Sequence, residues 1–348
     1  MSETDEVLIS VTGAAGIITL NRPKAINALT VQMVEGILAA LSGWAADDGV
    51  RLVVIEGAGE KGLCAGGDVR AVREDVLAGR TEAALSFFAR EYEMNRMIAR
   101  YEKPIVAFQT GIVMGGGIGV SSHARFRIAT ASSKFAMPEG AIGLFPDIGV
   151  NAILAEATEP RALAFLLSGM TVGAADAIAL GLADTMVDED RLADIRTRII
   201  DAAKAWEPDT QIAAVIQSES LEAGSPEFCA KADALAACFG CETVSGIIDQ
   251  LRLHADGGDV GAHALVAKLE AHSPTSLAVA LMSHRRARTD RTIEAVLERD
   301  LALARWIAVR PDFAEGVRAV IVDKDRTPKW QPSDPRAVDY GEIAALLD

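Results

Sequence analysis

Residues 137–149 read MPEGAIGLFPDIG, with two carboxylates, Glu139 and Asp147, eight positions apart in a stretch otherwise apolar or glycine. The nearest other charges along the chain are Lys134 and Glu156. Carboxylates ordinarily occupy wet, mixed-charge surface, so this isolation marks the pair as candidates for a dry pocket. Two acids that share such a pocket repel, and one is expected to hold its proton to a raised pKa and serve as acid as well as base. Asp147 also precedes a helical pattern, so a helix N-cap is the competing reading of that residue.

Two glycine loops offer a second kind of chemistry. Lys61–Asp68 reads KGLCAGGD and Met114–Gly119 reads MGGGIG, and each lies between an apolar strand pattern and a helical one. Glycines there let the backbone turn tightly and approach a ligand, while the first-turn N–H groups of the following helices have no partner within their own helix. One N–H from each loop would suffice to grip an oxygen that becomes anionic, which is an oxyanion hole. Tight turns and close helix packing are the plainer reading of either loop alone. A dinucleotide site fits poorly, because Gly117–Ser122 is GxGxxS rather than GxGxxG and does not follow a first strand.

The remaining chemistry-bearing residues point to structure. Cys238-Phe-Gly-Cys241 is a lone CxxC with no second pair, so Cys64, Cys229, Cys238 and Cys241 read as ordinary thiols of a reduced, cytoplasmic protein. His123, after the glycine-rich helix start, reads as a packed or capping histidine. His254, His263 and His272, nine apart, read as surface residues because no acid or cysteine accompanies them at metal-ligand spacing. No metal site is expected.

The elements that must carry these residues follow from periodicity. Val7–Val11 and Gly16–Leu20 flank a Thr-Gly-Ala-Ala turn and read as a hairpin. Thr30 is placed to cap a helix whose apolar positions are Met33, Val34, Ile37, Leu38 and Leu41. Arg51–Glu56 and Pro104–Gln109 read as buried strands, with helices from about Asp68 and over Glu82–Arg100. Short strands are expected at Arg125–Ala129 and Lys134–Met137. After Pro146 the pattern turns helical, with a linker over Glu207–Phe228, a turn at Asp256–Asp259 and a last strand at Val317–Val322. The fold class is therefore α/β, an alternating core over 1–190 followed by a helical C-terminal region over 191–348.

Composition bounds the partners. The chain has 348 residues, half of them hydrophobic, and a formal net charge of −15. Such acidity argues against a nucleic-acid binder but leaves room for an anionic small molecule held by a few local cations and N–H groups. The acidic N-terminus shows no signal or transit pattern, and no apolar run approaches the ~18 residues of a membrane span.

These pieces together resemble the crotonase (enoyl-CoA hydratase/isomerase) superfamily. The matching segments are Asn21–Leu29 (NRPKAINAL), the Cys64–Asp68 loop, Gly115–Gly117 and Pro138-Glu139, spread over about residues 5–190. Within it the chain is most similar to the hydrolase branch. The similar features are Asp147, Gly119 where hydratases carry a second catalytic Glu, Phe87–Tyr92, Ser273–Leu277 and Glu315–Asp325.

The resemblance implies a spiral of ββα units and an acyl-CoA thioester substrate, with no cofactor beyond the coenzyme A of that substrate. It implies that the thioester carbonyl sits between the N–H groups of Gly67 and Gly116. CoA would lie near Arg22, Lys24, Ala25, Ala65, Gly66 and Asp68, although a solvated loop is the alternative for Arg22 and Lys24. Glu139 would attack the carbonyl or activate a water, and Asp147 would hold a substrate hydroxyl, handle a proton, or both. The implied activity is hydrolysis of a short-chain β-hydroxyacyl-CoA, foremost the 3-hydroxyisobutyryl thioester of valine breakdown. Hydratase or isomerase activity and an inactive CoA-binding protein are the alternatives. A trimer or hexamer is the family's common assembly, and a longer helical tail could instead fold back over its own site. Gly140, Val150 and Ala152 depart from the hydrolase pattern and leave the acyl group less defined than the chemistry.

Overall fold

Ala15–Leu20 and Leu52–Gly57 are almost wholly apolar and flank nothing that breaks a strand, so they pair side by side in the core of a sheet. The structure, a computed structural model, describes residues 5–347. Its strands are β1 (Val7–Thr12), β2 (Ala15–Leu20), β3 (Leu52–Gly57), β4 (Ile105–Gln109), β5 (Ile112–Met114), β6 (Phe126–Thr130), β7 (Lys134–Ala136), β8 (Thr185–Val187) and β9 (Ser220–Leu221). The main sheet runs β1-β2-β3-β4-β6-β8-β9. β1 and β2 form the antiparallel hairpin, with Ile9 opposite Ile18. From β2 to β8 every pairing is parallel, and β9 closes antiparallel on β8. β5 and β7 form a separate two-stranded sheet.

The chain divides into two compact units, each assembled from three segments. The first comprises 1–67, 93–135 and 172–225 and holds the main sheet. One face of that sheet buries Ile17, Val54, Val106 and Ile128 against Ile195 and Ile199 of the helix Leu192–Ala202. A helix at Val31–Ala45 buries Met33, Val34, Ile37, Leu38 and Leu41, and the Thr30 hydroxyl caps it by accepting from the Met33 N–H at 3.2 Å. The second unit comprises 68–92, 136–171 and 226–348 and is dominated by helices. Its core joins Leu163 and Leu167 to Phe239, Ile247, Leu251, Leu265, Leu269 and Leu281. The α/β class is observed, and most expected elements lie within a residue or two of their expected bounds.

Three expectations are corrected. Val317–Val322 is helical: Pro311–Val317 is an α-helix that passes into a π-helical turn over Arg318–Val322. Its β-branched run is overridden by packing, because Gly316 lies so close to Ile142 that a Cβ would meet the Ile142 backbone at 2.4 Å. The 207–228 stretch is no continuous linker: Pro208, at the first helical position, opens the helix Pro208–Glu219. The stretch Gly111–Gly119, whose composition reads as a glycine-rich loop opening a helix, contains a strand, β5, over Ile112–Met114.

Candidate active site

In the first unit the two glycine loops run side by side. The Cys64 N–H donates to the Ile112 carbonyl at 3.0 Å, and the Met114 N–H returns to the Cys64 carbonyl at 3.0 Å. Gly117 is needed for this approach, since a Cβ there would stand 2.4 Å from the Cys64 carbonyl oxygen. Gly66 has φ +120°, and its missing Cβ points toward the Met114 carbonyl (3.5 Å) and the Gly116 nitrogen (3.8 Å). Gly116 opens the helix Gly116–Ser122, so its N–H has no acceptor within that helix. Gly67 pairs as a parallel bridge with Leu29, and Ala65 donates its N–H to the Ile26 carbonyl at 2.9 Å. The two loops expected to supply oxyanion donors are thus neighbours within one rigid hydrogen-bonded frame.

The Asn21–Leu29 segment is tied to that frame by a residue whose role the motif did not reveal. Asn27 is fully buried; its side-chain NH₂ donates to the Ala58, Gly62 and Leu63 carbonyls, and its Oδ1 accepts from the Arg22 N–H at 2.9 Å. The Arg22 guanidinium is engaged with the Ala28 carbonyl at 2.6 Å and with Glu6 at 3.2 Å. Its positive charge is therefore paired with Glu6, at the edge of β1, while the same group braces the Asn21–Leu29 segment. Lys24 and Ala25 are exposed. In the second unit, Asp68 takes the N-cap position of the helix Val69–Leu77 without a side-chain cap bond.

The acid pair lies in the second unit, and it is not alone. Glu139 begins a 3₁₀ turn, Glu139–Ile142, with its side chain 6 % exposed. Gly140 fits there because the His272 ring occupies the space of a side chain, its Nδ1 being 2.9 Å from where a Cβ would stand. The Ser273 N–H donates to the Gly140 carbonyl at 3.0 Å, and Ser273 Oγ donates to Asp312 at 2.6 Å, so the turn is held from the helical part of the chain. His272 is buried and hydrogen-bonds the Leu167 carbonyl, contrary to its expected surface position, whereas His254 and His263 are exposed. Burial lowers the His272 pKa to about 4 and keeps the ring neutral. His123 takes the C-cap position of the Gly116–Ser122 helix.

Asp147 is 3 % exposed and is no N-cap: Gly149 occupies that position before the helix Val150–Leu154, and the Asp147 carboxylate instead accepts from the Tyr92 hydroxyl at 2.5 Å. The next two residues are both left-handed, Ile148 at φ 55° and Gly149 at φ 73°. A β-branched residue in that region costs about 1–2 kcal/mol, so the surroundings hold it there. The Gly149 N–H donates to Asp300, on the helix Ile293–Ile307, at 2.8 Å. Glu91, beside Tyr92 on the helix Thr81–Ala99, is 3 % exposed, and Asp300 is fully buried.

Four acids and a phenol therefore interact in one buried cluster. Burial raises all of them, and the Asp147 charge adds to it for Glu91, Tyr92, Glu139 and Asp300. Glu139 is held well above the ordinary carboxylate range by desolvation first and by the Asp147 charge second, only partly offset by its own backbone N–H. Glu91 and Asp300 are raised for the same two reasons. Asp147 rises only to about 6, because the Tyr92 hydroxyl and a backbone N–H favour its ionised form against desolvation. The negative charge of the cluster thus settles on Asp147 and a proton on Glu139. Glu139 Oε2 is buried with no hydrogen-bond partner among the described residues, an orphaned polar atom of the kind that marks a reactive group.

Glu91, Tyr92 and Asp300 escaped the site reading. A signal existed for each: Phe87, Phe88, Glu91 and Tyr92 fall on one helical face, and Asp300 lies in the buried series Val296, Leu297, Asp300, Leu303, Ala304 and Ile307. An acid in a core stripe is as anomalous as one in a greasy loop. Among the described residues no group of three or more His, Cys, Asp or Glu side chains is arranged to hold a metal ion, no cysteine is in a disulfide, and no helix is long and apolar enough to cross a membrane.

A paired-acid cluster and twin glycine loops on a parallel sheet define a class already suggested by the motifs. The enoyl-CoA hydratase/isomerase family model matches residues 15–347, and the chain belongs to that family, the crotonases. A curated relative, the mitochondrial 3-hydroxyisobutyryl-CoA hydrolase of Rattus norvegicus, is 37 % identical over 342 residues, covering 97 % of this chain and 87 % of its own. Two solved structures share the whole fold. A carnitinyl-CoA dehydratase from Mycobacterium thermoresistibile matches with a TM-score of 0.90 and 35 % identity over 99 % of this chain and 97 % of that one. An enoyl-CoA hydratase from Rhodobacter sphaeroides matches with a TM-score of 0.89 and 36 % identity over 98 % and 97 %.

Proposed function

We propose that this protein hydrolyses a short-chain β-hydroxyacyl-CoA thioester, foremost 3-hydroxyisobutyryl-CoA, releasing the hydroxy acid and CoA. The observation that carries the reading is the buried pair Glu139 and Asp147 with glycine at 119. Hydration of a double bond in this family uses a second acid at the place of Gly119, whereas thioester hydrolysis needs one nucleophile or base and an oxyanion hole. The near full-length similarity to a named hydrolase supports the same choice.

In this reading the N–H groups of Gly67 and Gly116 hold the carbonyl oxygen as it becomes anionic. Glu139, once its proton has left, attacks the carbonyl carbon; the C–S bond breaks and the CoA thiolate leaves with a proton from the acid pair. Water then cleaves the mixed anhydride, giving the free acid and regenerating Glu139. The general-base route uses the same groups, with Glu139 taking a proton from a water that attacks the carbonyl directly. Asp147 carries the proton that Glu139 must lose and binds the substrate hydroxyl. Lys24, Ala25, Ala65, Gly66 and Asp68 form the CoA contacts of this reading, with Arg22 acting chiefly to brace the Asn21–Leu29 segment. In this reading the chain works in a reducing, cytoplasmic setting; a trimer or hexamer, or a helical tail folded back over its own site, are the two arrangements that light scattering would distinguish.

An acyl-CoA panel with a thiol reagent as readout tests the proposal. Free CoA is expected from 3-hydroxyisobutyryl-CoA and 3-hydroxypropionyl-CoA. No release from either, together with loss of the crotonyl-CoA double bond, would overturn it in favour of the hydratase activity named for the solved relatives.

A further inference from the structure

Asp147 and the backbone just after it are held at two points by residues outside the acid segment itself. Its Oδ2 accepts from the Tyr92 hydroxyl at 2.5 Å, and the Gly149 N–H two residues on donates to Asp300 Oδ2 at 2.8 Å. Between these points Ile148 and Gly149 both hold left-handed backbone, and Ile148 is 1 % exposed. Such a conformation persists only where its surroundings over-determine it. Tyr92 is itself fixed, with its ring tilted against Phe88 at a centroid distance of 6.2 Å. We propose that Tyr92 and Asp300 are positioning residues for Asp147, Tyr92 holding the carboxyl group through Oδ2 and Asp300 holding the strained Ile148–Gly149 backbone that carries it. This assignment rests on the catalytic reading of Asp147 given above.

The clamp has an electrostatic consequence. The groups that face Asp147 are Glu91 and Tyr92 from the helix Thr81–Ala99, Glu139 from its 3₁₀ turn, and Asp300, with Arg299 next to it, from the helix Ile293–Ile307. All but Tyr92 and Arg299 are acids whose own ionisation the Asp147 charge disfavours. Tyr92 donates the side-chain hydrogen bond that favours that charge, so it selects which acid of the cluster ionises first. Asp300 keeps its own Oδ1 buried and unpartnered among the described residues, which is tolerable for a neutral carboxyl group and costly for an ionised one.

Titration of the protein carrying aspartate labelled with carbon-13 at the carboxyl group tests the clamp without any substrate, the Asp147 resonance being identified by its loss in Asp147→Asn. The wild-type midpoint is expected near 6. In Tyr92→Phe it moves up by about one to two pH units, the worth of a hydrogen bond to a charged group. The acidic limb of kcat/KM in the CoA-release assay moves up with it. Asp300→Ala lowers kcat, and Asp300→Asn, which keeps an oxygen for the Gly149 N–H, restores most of the loss. An unmoved midpoint in Tyr92→Phe, or an Asp300→Asn variant as impaired as Asp300→Ala, overturns the proposal. Thermal melts of each variant separate a lost clamp from a lost fold. If the midpoint moves but no thioester is cleaved, the clamp stands and the hydrolase reading falls.

Discussion

In the first unit the Cys64–Gly67 and Met114–Gly117 loops offer backbone N–H groups carried on glycine, while in the second unit Glu91, Glu139, Asp147 and Asp300 offer side-chain oxygens. The costs of the two arrangements differ in kind. The glycine loops are held by strand-like hydrogen bonds and by close approaches that admit no Cβ, so their cost is steric and independent of pH. The acid cluster is held by packing against its own electrostatics, so its cost is charge in a dry place and rises with pH. Fixed donors do not reorganise, and carboxylates of raised pKa lie close enough to neutral pH to move a proton; the acyl transfer proposed above asks for both.

The largest expected effect breaks the acid side of this contrast. Glu139→Gln keeps the shape and removes the ionisable group, and turnover should fall by about 10⁴-fold while acyl-CoA still binds. Equal turnover in that variant removes Glu139 from the chemistry. Next comes the backbone side. Gly116→Pro deletes one N–H at the first helical position, where proline is tolerated. The expected loss is about 10²–10³-fold in kcat; an unchanged kcat would show that this N–H grips nothing.

The smallest effect concerns stability and has the opposite sign. Burial raises Asp147 from 3.8 to about 6, so the folded protein keeps this proton to a higher pH than the unfolded chain does. The stability this proton contributes is fully present below about pH 4 and is lost as pH rises through 6. At pH 7 the ionised carboxylate costs about 3 kcal/mol. Asp147→Asn should therefore raise the melting temperature at pH 7 and leave it unchanged at pH 4, while hydrolysis falls. A variant less stable than wild type at pH 7 would mean that the Tyr92 hydrogen bond outweighs the burial.

Much of this was legible in the chain because it is local. The β1–β2 hairpin, the Thr30 cap and the strand-to-helix glycine loops depend on neighbours within a few residues, and each is observed where alternation, capping and turn chemistry put it. The failures share one cause. Val317–Val322 carries a β-branched run, yet it continues a helix because Gly316 is pressed on Ile142 and Arg318 is bonded to Glu315, Asp323 and Asp325. His272 has an ordinary polar sequence context and is buried because it fills the space beside Gly140.

The sequence by itself determined the class of chemistry: two acids in an apolar segment, glycines where backbones must approach, and motifs that resemble one acyl-CoA family. Only the tertiary structure decided how those acids are charged. Asp147 was one half of a pair until Tyr92, 55 positions earlier, and Asp300, whose carboxylate holds Gly149 from 151 positions away, were brought to it. Ionisation in a dry interior is set by every group within a few ångströms; the helical stripes marked Tyr92 and Asp300 as anomalous one by one, but nothing in the chain said that they would meet at Asp147.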